Sequence, residues 1–100
     1  MYIDIEKNNH QWVVYLEGDI SYKDRNELKV LIDCFEKDGV KELIIDFKKI
    51  AKVQSSGLGS LLILREKALI NEANIVLKNV NGHLKTIFEK SALCNLFTIK

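Results

Sequence analysis

Ser55, Ser56, Gly57, Leu58 and Gly59 are the residues of this sequence whose types and spacing suit chemistry. Ahead of them lies Leu43-Ile44-Ile45, a short apolar, β-branched run that reads as a strand. Behind them lie Leu61, Leu62, Ile63 and Leu64, which read with Leu58 as a helix. A helix that opens on Ser-Ser-Gly presents its first amides without intrahelical acceptors, at the positive end of the helix dipole. Small residues leave those amides accessible, so the place suits an anion or a phosphorylated hydroxyl. The same serines also fit a plain N-cap that holds the helix and does nothing else. Spacing alone leaves both readings open.

Other chemistry finds no support. Nucleophilic or acid–base catalysis needs a nucleophile with its base, a metal set or a carboxylate pair. His10 and His83 are the only histidines, and no spacing links either to Ser55. Cys34 and Cys94 have neither a ligand spacing nor the number for a disulfide framework, and read as two buried, reduced thiols. Gly57-Leu58-Gly59 without a following Walker-type lysine is a weak phosphate signal. No catalytic residue, metal ligand or cofactor is therefore expected, and the chain does not read as an enzyme.

The elements that must position the serines follow from periodicity. Ile3, Ile5 and then Trp12, Val14 and Leu16 alternate, with Asn8-Asn9-His10 as a turn, which predicts a hairpin. His10 reads as exposed, and the sequence does not decide which way Trp12 faces. Ser21 and Asp24 have the spacing of a weak capping box. Leu28, Leu31, Ile32 and Phe35 form a clean helical face that ends at Asp38-Gly39. Leu43-Ile44-Ile45 is continuous enough for a strand covered on both faces. The helix after the serines has a wide apolar arc and is expected to be the most buried, with Arg65, Glu66 and Lys67 on its wet side. Ile75-Val76-Leu77 is another strand, reached by a parallel crossover. Asn81 caps a third helix striped by Leu84, Ile87 and Phe88, and residues 96–99 suit a short last strand.

The fold class is thus α/β. It is a mixed four- to five-stranded sheet with helices mainly on one face, in the order β-β-α-β-α-β-α with or without a closing strand. One domain is expected to fill residues 1–100, since there is no proline, linker composition or repeat. Leu31, Phe35, Ile44, Leu62, Val76 and Ile87 are expected in the core. Hydrophobic content of 47% and charged content of 29% suit a soluble protein. Lys+Arg 15 against Asp+Glu 14 gives +1, which offers no electrostatic case for nucleic acid or an anionic membrane. No apolar run is long enough to span a bilayer, and Met1-Tyr2-Ile3-Asp4-Ile5-Glu6 is unlike a signal peptide. The cytoplasm is the compartment that fits.

Val53-Gln54-Ser55-Ser56-Gly57-Leu58-Gly59, preceded by Ile44-Ile45-Asp46-Phe47, resembles the signature of the STAS family, the sulfate transporter and anti-sigma factor antagonist domains. The similarity is greatest to the stand-alone bacterial antagonists, and it runs from Leu16-Glu17-Gly18-Asp19-Ile20 to Leu93-Cys94-Asn95-Leu96-Phe97. The resemblance implies a STAS-like fold and, at Ser55, the serine that a partner kinase phosphorylates, with Ser56 second to it. It also implies that the strand-to-helix loop holding Glu17, Asp19 and Ser21 lies beside Gln54, Ser55, Ser56 and Gly57 and helps bind the partner. Gln54 stands where the family usually has Asp, and Ser21 where it commonly has an acidic residue. The function so implied is that of an anti-sigma factor antagonist, binding an anti-sigma factor or a switch-type serine kinase. The alternative is a STAS subunit that docks, unphosphorylated, on a transporter or signalling complex. A nucleotide or phosphate held at the same helix start is a distant third.

Overall fold

The computed structural model describes residues 1–90 and 97–99, with backbone alone for Tyr22, Ser55 and His83. The expectations for Cys94 and Leu96 lie outside the described residues. Strands β1 (Tyr2–Asn8) and β2 (Gln11–Ile20) form the hairpin, in register from Tyr2 opposite Glu17 to Asn8 opposite Gln11. That register leaves Asn9 and His10 as the loop. Asn9 takes φ 48°, a left-handed conformation that asparagine tolerates. A 3-10 turn (Tyr22–Asp24) leads into α1 (Arg25–Lys37). Then come β3 (Glu42–Val53), α2 (Ser55–Ile70), β4 (Asn74–Lys78), α3 (Gly82–Lys90) and β5 (Thr98–Ile99).

The five strands form one sheet in chain order. The hairpin is antiparallel, and every later pairing is parallel. Parallel neighbours need a crossover, and α1 and α2 supply the first two. Val14, Leu16, Leu43, Ile45, Phe47, Ile75 and Leu77 point to the helix-bearing face and are buried against Leu28, Leu31, Phe35, Leu61, Leu64, Leu84 and Phe88. Phe47 and Phe88 meet with ring centroids 5.8 Å apart. Trp12 joins this core, and the Lys7 ammonium lies 4.8 Å from its ring centroid. Cys34 is buried, and burial with the Asp38 and Asp33 carboxylates pushes its thiol up to about 12.

Caps end the elements as the sequence suggests. Gly39 takes φ 68° after α1, the left-handed position that a side chain would strain. Asn81 Oδ1 accepts the Leu84 amide at 3.0 Å and so caps α3. His10 is exposed, and its carbonyl accepts the amides of Lys41 and Glu42, tying the hairpin loop to the start of β3.

Three core expectations need correction. Ile44 and Ile87 are half-buried, and Leu62 is exposed. Ile44 alternates onto the sheet face that the helices leave uncovered, beside Val13 and Val76, so β3 is not sandwiched between helices. Val76 is buried on that outer face, while Leu31 and Phe35 are in the core as expected. In α2 the inward positions are Ser60, Leu61, Leu64 and Ala68. Arg65 and Lys67 are half-buried, whereas Leu62, Ile63, Leu69 and Ile70 face out. The wide apolar arc is therefore shared between core and surface.

This assignment separates two adjacent leucines. Leu61→Ala should cost about 2–5 kcal/mol in a denaturant melt, because it empties a fully buried site. Leu62→Ala should cost less than about 1 kcal/mol.

Candidate functional site

The candidate site is built where β2 and β3 end side by side. Ile20 lies opposite Val53, so the chain enters Gln54 at the C-terminal end of the central strand β3. Two register shifts bring it there. Between Tyr15–Asp46 and Glu17–Lys49, and again between Gly18–Ile50 and Asp19–Lys52, β3 uses one residue more than β2. Such bulges bend a strand and increase its twist. The first is fixed by Asp46, whose carboxylate accepts the Lys48 amide at 2.8 Å and the Asn79 side-chain amide at 3.1 and 3.2 Å.

Gln54 is the N-cap of α2, with extended backbone at φ −79° and ψ 159°. Its amide donates to the Ile20 carbonyl at 2.9 Å. Its own carbonyl accepts the amides of Gly57 at 2.8 Å and Leu58 at 3.1 Å, closing the first helical turn. The Gln54 side chain makes no capping bond and is exposed. Capping is thus done by backbone alone, leaving the side chain of position 54 free to meet a partner.

Gly57 is needed for this approach. A Cβ at that position would lie 2.6 Å from the Ile20 carbonyl oxygen and 2.8 Å from its side-chain Cγ2. The helix start therefore rests directly on the end of β2. Gly59 has no such constraint, since a Cβ there would meet nothing within 4 Å.

The loop after β2 is fixed by a buried carboxylate. Asp24 Oδ2 accepts the Ser21 amide at 2.8 Å and the Ser21 hydroxyl at 3.2 Å. The Met1 amino group lies 3.2 Å from Asp24 Oδ1. Half of the expected capping box is present. The Ser21 hydroxyl donates to Asp24 instead of capping a helix amide, because the 3-10 turn stands between it and α1. Burial opposes the Asp24 charge. The Ser21 amide, the Met1 ammonium and the Ser21 hydroxyl outweigh it and hold the carboxyl below the usual range.

Asp19, Ser21, Gln54 and Ser56 line one open depression, joined by Met1, Gly18, Lys23 and Asp24. Lys52 and Val53 share a second depression with Gln54 and Ser56. Ser55 is the first residue of α2, between these walls in the chain. Glu17 is apart from the group. It alternates onto the outer sheet face, where it lines a concavity with Tyr2, Asp4, Tyr15, Asp46, Lys48 and Lys49. Lys23, Asp24 and Lys52 line the site's depressions, and the sequence reading named none of them as a site residue. The Ser21–Asp24 spacing was the one signal for Asp24. Among the described residues, no cluster of three or more histidine, cysteine or acidic side chains could hold a metal. No helix of the described residues is long and apolar enough to cross a membrane.

The STAS domain model matches residues 2–100. A putative anti-sigma factor antagonist from Thermotoga maritima superposes with a TM-score of 0.86 at 11% identity, over 97% of this chain and 84% of that one. The phosphorylated form of the Bacillus cell fate determinant SpoIIAA gives 0.71 at 19% identity, over 99% and 91%. A sulfate transporter family protein from Wolinella succinogenes gives 0.77 at 15%, over 88% and 71%. At these identities the likeness establishes the fold.

Two checks follow from the site's construction. Gly57→Ala should destabilise the protein by about 1–3 kcal/mol, since backbone must shift to admit the methyl. Gly59→Ala should leave stability unchanged or raise it by up to about 1 kcal/mol. A thermal melt of each variant decides. The depressed Asp24 carboxyl adds stability that is complete above its ordinary pKa of about 4 and is lost as pH falls through the lower folded value. Asp24→Asn should therefore cost about 1–3 kcal/mol at pH 7, and the gap to the parent should narrow in melts taken at progressively lower pH.

Proposed function

We infer from one premise, that this chain belongs to the STAS domain family across residues 2–100, that it is a non-catalytic protein-interaction module. The reading best supported is an anti-sigma factor antagonist that binds an anti-sigma factor or a switch-type serine kinase. The observation that carries it is the placement of Ser55 as the first residue of α2, beside the depression lined by Asp19, Ser21, Gln54 and Ser56. Similarity to SpoIIAA, whose phosphorylated form is a solved structure, supports the same reading.

Phosphorylation of Ser55 would add roughly two negative charges at the positive end of the helix dipole. Lys23 and Lys52 line the flanking depressions and complement that charge. The fold therefore tolerates the phosphate. The partner, which must desolvate it, binds less well. Control operates through local electrostatics at the interface. Asp19, Ser21, Gln54 and Ser56 form the partner-binding surface under this reading, Gly57 seats the helix start that carries it, and Glu17 stands apart on the outer sheet face. Such a module would work in the cytoplasm as one domain.

Gln54 favours a second reading. An uncharged side chain stands at the N-cap, and it makes no side-chain cap hydrogen bond. A STAS subunit that docks on a transporter or signalling assembly without being phosphorylated fits that residue, and similarity to the Wolinella transporter family protein is in keeping with it.

Ser55→Ala and Ser55→Asp baits, with the parent, distinguish the readings in pull-downs from the native cell with intact-mass analysis. Both variants should melt like the parent. Ser55→Ala should retain partner binding, and Ser55→Asp should lose about tenfold or more, equal to at least roughly 1.4 kcal/mol. Equal binding by all three, with no phosphate on the recovered parent, would leave the docking subunit as the function.

A further inference from the structure

The sheet has one long open edge. β1 ends the strand order and pairs with β2 alone, so among the described residues nothing pairs its other side. The opposite edge strand, β5, is Thr98–Ile99. Natural sheets commonly blunt an edge with proline, a bulge, a projecting lysine or a very short strand. β1 uses none of these. Its seven residues, Tyr2–Asn8, lack proline and pair with β2 in an unbroken register. Its one lysine, Lys7, is drawn over Trp12, with Nζ 4.8 Å from the ring centroid. The outward N–H and C=O groups of β1 therefore remain open to a further strand.

The chemistry beside this edge indicates what covers it. On the outer sheet face β1 presents Asp4 and Glu6, next to Tyr15 and Glu17 of β2. Asp4 makes no hydrogen bond or ion pair among the described residues, and Glu6 has only a long 3.5 Å contact from the Tyr15 hydroxyl. Desolvation, and then the carboxylates of Glu6, Asp46 and Asp4, raise the Tyr15 phenol above its ordinary range, in keeping with a negative field there. A concavity of about 340 Å³ opens between Tyr2, Asp4, Tyr15 and Glu17, with Lys48 and Lys49 at its far side on β3. On the helix-bearing face, Ile3 and Ile5 are half-buried. Val30 of α1, 51% exposed, lines a depression there with Lys7 and Trp12. An incoming strand points alternate side chains to the two faces. Basic residues on one side would meet Asp4 and Glu6, and aliphatic residues on the other would cover Ile3, Ile5 and Val30.

A second copy of β1 does not fit. Antiparallel pairing sets side chains of the same face opposite each other, and like charges so placed repel. In each two-fold register that pairs five or more residues of β1, Asp4 meets Glu6, or one of them meets itself. We propose that the open edge of β1 docks an extended partner segment in which Lys or Arg alternates with aliphatic residues.

This goes beyond the proposed function and does not rest on it. Main-chain bonds supply the affinity, and the alternate side chains supply the selectivity. The net charge of +1 gives no general attraction for a cationic peptide, so binding at β1 reports the local pattern. One short strand on an exposed edge binds weakly, with a Kd on the order of 0.1–1 mM.

Titration of the isotope-labelled full chain with the peptide acetyl-Lys-Val-Lys-Val-Lys-Val-Lys-amide, followed by amide NMR, tests the assignment. Shift changes should centre on β1, and its outward amides should exchange more slowly with solvent when the peptide is bound. The same residues in the order Lys-Lys-Lys-Lys-Val-Val-Val, and the alternating peptide with Glu for Lys, should each bind at least about tenfold more weakly. Asp4→Lys with Glu6→Lys alters two exposed side chains and should melt like the parent. That variant should lose the lysine peptide by about tenfold or more and prefer the glutamate peptide. The proposal is overturned if the lysine peptide does not bind at millimolar concentration, or if its shifts fall away from β1. Equal binding of the blocked or glutamate peptide by the parent overturns it too, as does a parent dimer that pairs through β1.

Discussion

The Ile20 carbonyl is the point on which the site depends. It accepts the Gln54 amide and lies where a side chain at Gly57 would have to go. One oxygen thus sets both the entry angle of α2 and the closeness of its first turn to β2. Everything upstream serves to bring Gln54 to that oxygen. The parallel pairing of β2 with β3 aligns Ile20 with Val53, and the two bulges adjust a twelve-residue strand to a ten-residue one. A change in either bulge would move the serines without touching them.

The second wall of the site is held by electrostatics. Asp24 is buried, and its carboxylate is matched by an amide, a hydroxyl and an ammonium. A buried charge persists only when it is paired and hydrogen-bonded, and such a group fixes the geometry of the chain around it. The loop that carries Asp19 and Ser21 is therefore held in place before any partner arrives. Under the proposed reading, two pre-set walls would let a charge placed between them act on what binds there while leaving the domain itself undisturbed.

Helix α2 serves three demands at once. Its first turn forms the site, its inner side packs on the sheet, and its outer side presents aliphatic residues to solvent. A helix that only packed would carry a polar outer face. Agreement between local pattern and fold is the general rule, and departures from it tend to mark function. Here the departure is the exposed Leu62, Ile63, Leu69 and Ile70 on the outer side of α2.

The sequence by itself determined the order of the elements, the hairpin turn, the cap at Asn81 and the place of the serines at a helix start. Those features depend on local periodicity and on residues with narrow backbone preferences, which act over a few positions. The motif also made the STAS resemblance legible, because seven adjacent residues carry it. What tertiary structure decided is of a different kind. Glu17 and Asp19 are two residues apart in β2, yet Glu17 lines the concavity beside Tyr15, Asp46 and Lys49, whereas Asp19, nearer the strand's end, lines the depression that holds Ser21, Gln54 and Ser56. Leu61 and Leu62 are the same residue type in the same helix, and only packing against the sheet assigns one to the core and the other to the surface. Gly57 and Gly59 look alike in the motif, but one is pressed against Ile20 and the other stands open. Which neighbour a side chain meets is a long-range property, and in this chain it separates residues that composition and period treat as equal.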